Sequence, residues 1–227
     1  MFYKATHVLG MSCLLGVIFS CNNNCKYIET VEIQQEMKEW AEFLPGSYWI
    51  YQDSISGQFD TVSIYAHKYY IKETIPEKSK CPTRKQRELR LNYPEDSISN
   101  PKNYEFYGIY EDKNPDALTG EMTFRKKAER TLSSTYLLFP IQVGNSKKYG
   151  SRSLFTIESI IPSMLMADTT FDSVVCTHDN FCFPANGEAR FYHVKNIGVI
   201  KKVFYMQGSS IPSAIWNLKE WTVIQKE

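Results

Sequence analysis

Residues 47–65 read Ser47-Tyr-Trp-Ile-Tyr51-Gln-Asp53-Ser-Ile-Ser-Gly57-Gln-Phe59-Asp-Thr-Val-Ser-Ile-Tyr65, and the period of this stretch decides the fold. From Ser47 onward the chain takes up a repeat of two, the mark of a strand half buried in a sheet. Tyr48–Tyr51 and Phe59–Tyr65 are rich in aromatic and β-branched residues, and Asp53-Ser-Ile-Ser-Gly57 between them favours a turn, so the stretch predicts a β-hairpin. Upstream, Ile33, Met37, Trp40, Ala41 and Leu44 recur at helical spacing and stop at Pro45-Gly46. They predict one amphipathic helix from about Val31 to Phe43, its apolar face packed on the chain's own sheet. Downstream, the strand candidates are 69–74, 89–93, 104–110, 121–125, 134–139, 154–160, 171–176, 190–194, 198–206 and 218–225, separated by Pro and Asn clusters. The charge-rich run from Glu77 to Arg90 reads as a solvated loop or strand face. The fold expected is mainly β: a curved antiparallel sheet or open half-barrel with one N-terminal amphipathic helix.

The first twenty-one residues have a different character. Lys4 and the amino terminus open the chain with positive charge, and Val8 to Phe19 follow without a charge. As a helix those twelve residues would span ~18 Å, against ~30 Å of bilayer hydrocarbon, which suits the apolar region of a secretory signal. Ile18-Phe19-Ser20-Cys21 resembles the lipobox of bacterial lipoproteins: aliphatic at −3, small at −1 and cysteine at +1. The resemblance implies cleavage before Cys21 and acylation of its thiol. The expected organisation is a signal peptide over 1–20, a lipidated tether over 21–29 and a single β-rich domain over 30–227. Asn22 stands where an aspartate would signal inner-membrane retention, which points to the outer membrane with its face left open.

The 26 basic and 25 acidic residues become 25 and 25 once Lys4 leaves with the signal. Formal neutrality argues against nucleic acid, which asks for a basic excess. The 15 Tyr and 13 Phe fit a strand-rich chain. Cys25, Cys81, Cys176 and Cys182 remain beside Cys21, and an exported protein permits their pairing. Cys176 with Cys182 would close a small loop, leaving Cys25 with Cys81. Free thiols, or a metal held by Cys176, His178 and Cys182, are the alternatives, and no second ligand pair supports the metal.

An ordered series toward the C-terminus carries a second resemblance: Phe139-Pro140 with Val143-Gly144-Asn145, then Phe171-Asp-Ser-Val-Val175, then Phe191-Tyr-His-Val-Lys-Asn-Ile-Gly-Val-Ile-Lys201, then Trp216-Asn-Leu218. It is similar to a recurrent pattern in small uncharacterised lipoproteins of Gram-negative bacteria, spanning about residues 137–225. Lys147-Lys148-Tyr149 stands where that pattern has an aromatic residue soon after the glycine turn. The resemblance implies an antiparallel sheet, curved or barrel-like, and brings no agreed activity and no catalytic residue with it.

Motifs for hydrolase nucleophiles, zinc proteases, phosphate loops and dinucleotides are absent from the sequence, so no catalytic residue and no cofactor is assigned. Of the histidines beyond the signal, His193 alternates with Phe191 as a sheet residue does, and His67 sits at a strand end among lysines and tyrosines. Asp followed by Ser or Thr and then an aliphatic residue or Thr occurs at Ser54, Thr61, Ser97, Thr169 and Ser173, more often than composition predicts. This resembles the acceptor motif of an O-glycosylation system in Gram-negative bacteria that modify exported proteins, although Asp also starts turns and Ser or Thr before Val or Ile starts strands. The functional expectation is a membrane-anchored envelope lipoprotein, a non-enzymatic binding or scaffold module with a protein partner in the envelope. A carrier of apolar ligands in a β-sheet cavity is the alternative, and glycan binding through Trp49, Trp216 or Trp221 is a third reading that their apolar neighbours disfavour.

Overall fold

The computed structural model describes residues 30–64, 66–75, 84–92, 105–114, 117–126, 133–149, 153–166, 168–182 and 187–225. Along the chain these form β1 (Thr30–Val31), α1 (Gln35–Ala41), β2 (Tyr48–Asp53), β3 (Phe59–Ser63), β4 (Ala66–Thr74), β5 (Arg84–Asn92), β6 (Glu105–Asn114) and β7 (Ala117–Lys126). There follow β8 (Ser133–Phe139), β9 (Ser146–Tyr149), β10 (Ser153–Met166), β11 (Thr169–Cys182), β12 (Gly187–Val194), β13 (Gly198–Tyr205) and β14 (Pro212–Thr222). Eight strands make one antiparallel sheet in the order β3-β2-β14-β13-β12-β11-β10-β9, with different strands at its two edges, so it is not closed into a barrel. The other sheet has the order β1-β5-β6-β7-β8 with β4 also on β5, and only the short β1–β5 pair in it is parallel. The expected mainly β fold with one helix is present.

The hairpin that decides the fold pairs Tyr48 with Ser63 and Gln52 with Phe59, and buries Trp49, Tyr51 and Asp53 on one face. Those side chains reach across β14. Trp49 Nε1 donates to Ile197 O at 2.6 Å and Tyr51 OH to Val199 O at 2.7 Å. Phe171 on β11 meets Trp221 on β14 with ring centroids 5.5 Å apart, although β12 and β13 lie between them in the sheet. The long β10–β11 hairpin therefore curls over the concave side. Its bend coincides with a register shift between Ile157 and Ser159 and with Ser173 at φ 53.

The concave face is filled from two directions. Met37, Trp40 and Ala41 of α1 and Leu137, Leu138 and Phe139 of β8 join Phe155, Ile157, Phe171, Val174, Ile200 and Leu218 in one buried cluster. Each large apolar side chain so buried contributes ~1.5–3 kcal/mol. Gly198, at φ +94, gives the Phe43 ring its place: a Cβ there would stand 3.2 Å from the ring.

Some boundaries differ from those expected. The helix covers Gln35–Ala41 and not Val31 to Phe43, because Val31 pairs with Gln86 of β5 and Glu42 leaves helical geometry at ψ 85. β14 begins at Pro212, ahead of the expected Leu218, and ends at Thr222. β10 runs past Ile160 through Pro162 to Met166, and β9 was not anticipated.

Candidate functional site

Cys21, Cys25, Cys81 and Ser97 lie outside the described residues. The remaining candidates fall on separate parts of the molecule. On the outer face of the larger sheet, Cys176 of β11 is buried and its Sγ donates to Glu158 Oε2 at 3.6 Å. Arg190 grips the same carboxylate with two bonds, Nε at 2.7 Å and the terminal nitrogen at 3.1 Å, and stacks 5.4 Å from the Tyr205 ring. The Arg190 hydrogen bond holds the Glu158 carboxyl below its ordinary range against partial burial, and Glu158 raises the guanidinium in return. Burial, with Glu158 beside it, pushes the Cys176 thiol up to about 11, and burial likewise lifts Tyr192 to about 12. A thiol so shifted stays protonated and is a poor nucleophile at neutral pH.

The expected Cys176–Cys182 disulfide is corrected here. Both residues belong to the same strand, and Cys176 is a free thiol. Six residues of extended chain separate Cα atoms by ~20 Å, whereas a disulfide needs ~4.4–6.8 Å. The metal alternative fares no better: Cys176 faces Glu158 while His178 Nε2 meets Glu188 Oε2 at 3.1 Å. Among the described residues no group of three His, Cys, Asp or Glu side chains gathers to hold a metal.

On the concave side His193 is buried, with Nε2 3.3 Å from Thr177 Oγ1, as a sheet histidine engaged by its neighbour. A third cluster was not foreseen. Glu42, just past the end of α1, is buried, and its carboxylate receives the Tyr69 hydroxyl and lies 3.1 Å from His67 Nε2. The signal in the sequence was only His67 and Tyr69 sharing a strand face; their acid lies 25 residues away and no spacing rule reaches it. The arrangement joins α1 to β4.

The proposed acceptor hydroxyls occupy unlike settings. Ser54 is exposed in the β2–β3 turn, but its Oγ donates to Ile215 O and accepts from Asn217 Nδ2 at 2.6 Å. Thr61 is exposed on edge strand β3, Thr169 is half-buried beside Asp168 at φ 65, and Ser173 is exposed. Asp53 is itself structural: its carboxylate accepts from Ile215 N, Ser56 Oγ, Ser56 N and Ile55 N. Trp49 is buried, and Trp216 and Trp221 are half-buried. No helix among the described residues is long and apolar enough to cross a membrane. No protein-family model, no curated protein and no solved structure matches this chain.

Proposed function

We propose that the chain is an exported lipoprotein, cleaved before Cys21 and anchored through that cysteine to the cell envelope, with a β-rich portion that serves as a non-enzymatic binding or scaffold module. The observation that carries the reading is the uncharged Val8–Phe19 run ending in Ile18-Phe19-Ser20-Cys21. Acylation of Cys21 with two or more chains would hold it stably, since one chain is marginal. Asn22 favours the outer membrane. A non-enzymatic reading draws support from the polar clusters, each of which is taken up in joining elements of the fold: Glu42 joins α1 to β4, Glu158 joins β10 to β12, and Asp53 joins the first hairpin to β14. The carrier reading draws less support, because Met37 and Trp40 of α1 pack into the concave side where a ligand would lie.

Intact and peptide mass spectrometry of protein extracted from its native membrane tests the reading. Diacyl or triacyl mass on Cys21 is the expected result; a retained Met1 with an unmodified Cys21 refutes it. The same spectra read O-glycosylation, expected first on Thr61 and Ser173, whose exposed settings leave more room than Ser54 with its engaged hydroxyl.

A further inference from the structure

Two turns project from one end of the larger sheet. β2 and β14 run antiparallel with Asp53 opposite Trp216, and β13 ends with Tyr205 opposite Pro212. The β2–β3 and β13–β14 turns therefore share an end, ~10 Å apart across the sheet, with the second reaching about 13 Å further along the strands. The Ser54 bonds to Ile215 and Asn217 fasten the first of them to β14. Apolar side chains crown both: Ile55 is 55% exposed, Phe59 62%, Met206 63% and Ile211 76%. Neither Ser54–Phe59 nor Met206–Leu218 contains a charged residue, in a chain that is 22% charged. Charges on the flanking strands have close partners: Glu188 meets His178, Arg190 meets Glu158, and Lys202 lies 4.0 Å from Asp60. Exposed apolar groups gathered in this way mark a contact surface. Apolar tips separated by Ser, Gly and Gln, with no charge to desolvate, match the interfacial layer of a neutral bilayer.

We propose that these two turns dip into the surface of the membrane that holds Cys21, so that the sheet lies along the bilayer and is held at both ends. The inference rests on the lipoprotein reading and adds a second membrane contact to it. The helix end of the molecule is the opposite one, where Lys195 Nζ bonds Glu39 Oε2 at 2.7 Å and Asn196 N bonds Glu39 O. Nine residues, 21–29, reach ~30 Å when extended, and β14 is ~37 Å long, so the anchor and the turns can meet one leaflet when the strands run nearly parallel to it.

The test uses the full lipidated protein in phosphatidylcholine vesicles with brominated acyl chains. Tryptophan is introduced at Ile211→Trp, Ile55→Trp and, as a control on the β8–β9 turn, Val143→Trp, each read as a difference from the unsubstituted protein. All three positions are exposed. Emission from positions 211 and 55 is expected to shift to the blue and to be quenched by bromine, with position 143 unchanged. Flotation of the same samples reports the anchor: protein that does not float removes the lipoprotein reading and this proposal with it. Floating protein whose emission at 211 and 55 is unquenched overturns the bilayer contact alone. So does a blue shift that bromine leaves untouched, which assigns the turns to a protein partner or a second copy, and so does equal quenching at 143.

Discussion

Replacing Asp53 with alanine removes the carboxylate that fastens the first hairpin to β14. Asp53 is 4% exposed, and its oxygens accept from Ile215 N at 2.8 Å, Ser56 Oγ at 2.6 Å, Ser56 N at 3.1 Å and Ile55 N at 3.2 Å. In Asp53→Ala the donors in the exposed turn can bond water, whereas the part-buried Ile215 amide loses a charge-assisted bond worth ~1.5–3 kcal/mol. A loss of ~2 kcal/mol is expected, which lowers Tm by ~4–8 °C in a chain of this size. Acid supplies an independent check. Burial raises the Asp53 carboxyl, but the Ser56 hydroxyl and the Ile215, Ile55 and Ser56 amides outweigh it and bring it from 3.8 down to about 2. The folded value lies below the unfolded one, so the stabilisation is complete above 3.8 and is lost as pH falls toward 2. That gap converts to at most ~2.4 kcal/mol, and solvent on the open side of the turn reduces it to the order of 1 kcal/mol. Urea unfolding of both proteins near neutrality and again near pH 2.5 should show the parent's advantage shrinking by that amount. An advantage below ~0.5 kcal/mol at neutrality, within the range of ordinary surface changes, refutes the reasoning. So does one that ignores pH.

Gly187→Ala should destabilise by ~3 kcal/mol, because its Cβ would stand 1.9 Å from the carbonyl oxygen of Tyr205 and force β12 and β13 apart. Gly57→Ala, with open space around it, should cost only ~1 kcal/mol from its left-handed backbone, and urea midpoints rank the two. Cys176 should resist thiol reagents near pH 8 until the protein unfolds, and non-reducing peptide mapping should return it unpaired; a Cys176–Cys182 peptide would contradict the strand geometry. Tyr51→Phe should cost ~1–2 kcal/mol in chemical denaturation through the buried bond to Val199 O, whereas Tyr48→Phe, losing an exposed bond to Glu220, should cost under ~0.5 kcal/mol.

Local pattern carried far into this fold and failed where distant partners decide. The Tyr48–Ser63 hairpin was readable because period and turn chemistry agree in one short stretch. The apolar face of the helix was readable too, since Ile33, Met37, Trp40 and Ala41 are buried. Its length was not, because pairing of Thr30 and Val31 with Lys85 and Gln86 claims the residues before it. Pro162 looked like the end of a strand, yet β10 pairs with β9 only as far as Thr156, so the proline lies where one side of the strand is an edge and no bond is lost. Pro212 looked like punctuation and is the first residue of β14, a position proline tolerates. Ser146-Lys-Lys-Tyr149 forms an edge strand with too few apolar residues to announce itself. The six residues from Cys176 to Cys182 suggested a loop because sequence separation says nothing about extension.

The same distinction separates what can be said of function. The lipoprotein reading proposed above is local, resting on four consecutive residues, Ile18-Phe19-Ser20-Cys21. Chemistry by side chains is not, and the clusters the fold assembles join Glu42 to His67 and Tyr69, Glu158 to Arg190 and Cys176, and Thr177 to His193 across three different places. Every one of these groups is bonded to a neighbouring strand or helix, a role that folding alone explains. The end of the sheet crowned by Ile55, Phe59, Met206 and Ile211 is different, because folding would be better served by polar tips there. A surface whose composition exceeds what stability requires is where a contact should be sought, and under the lipid anchoring proposed above the nearest large apolar surface is the bilayer itself.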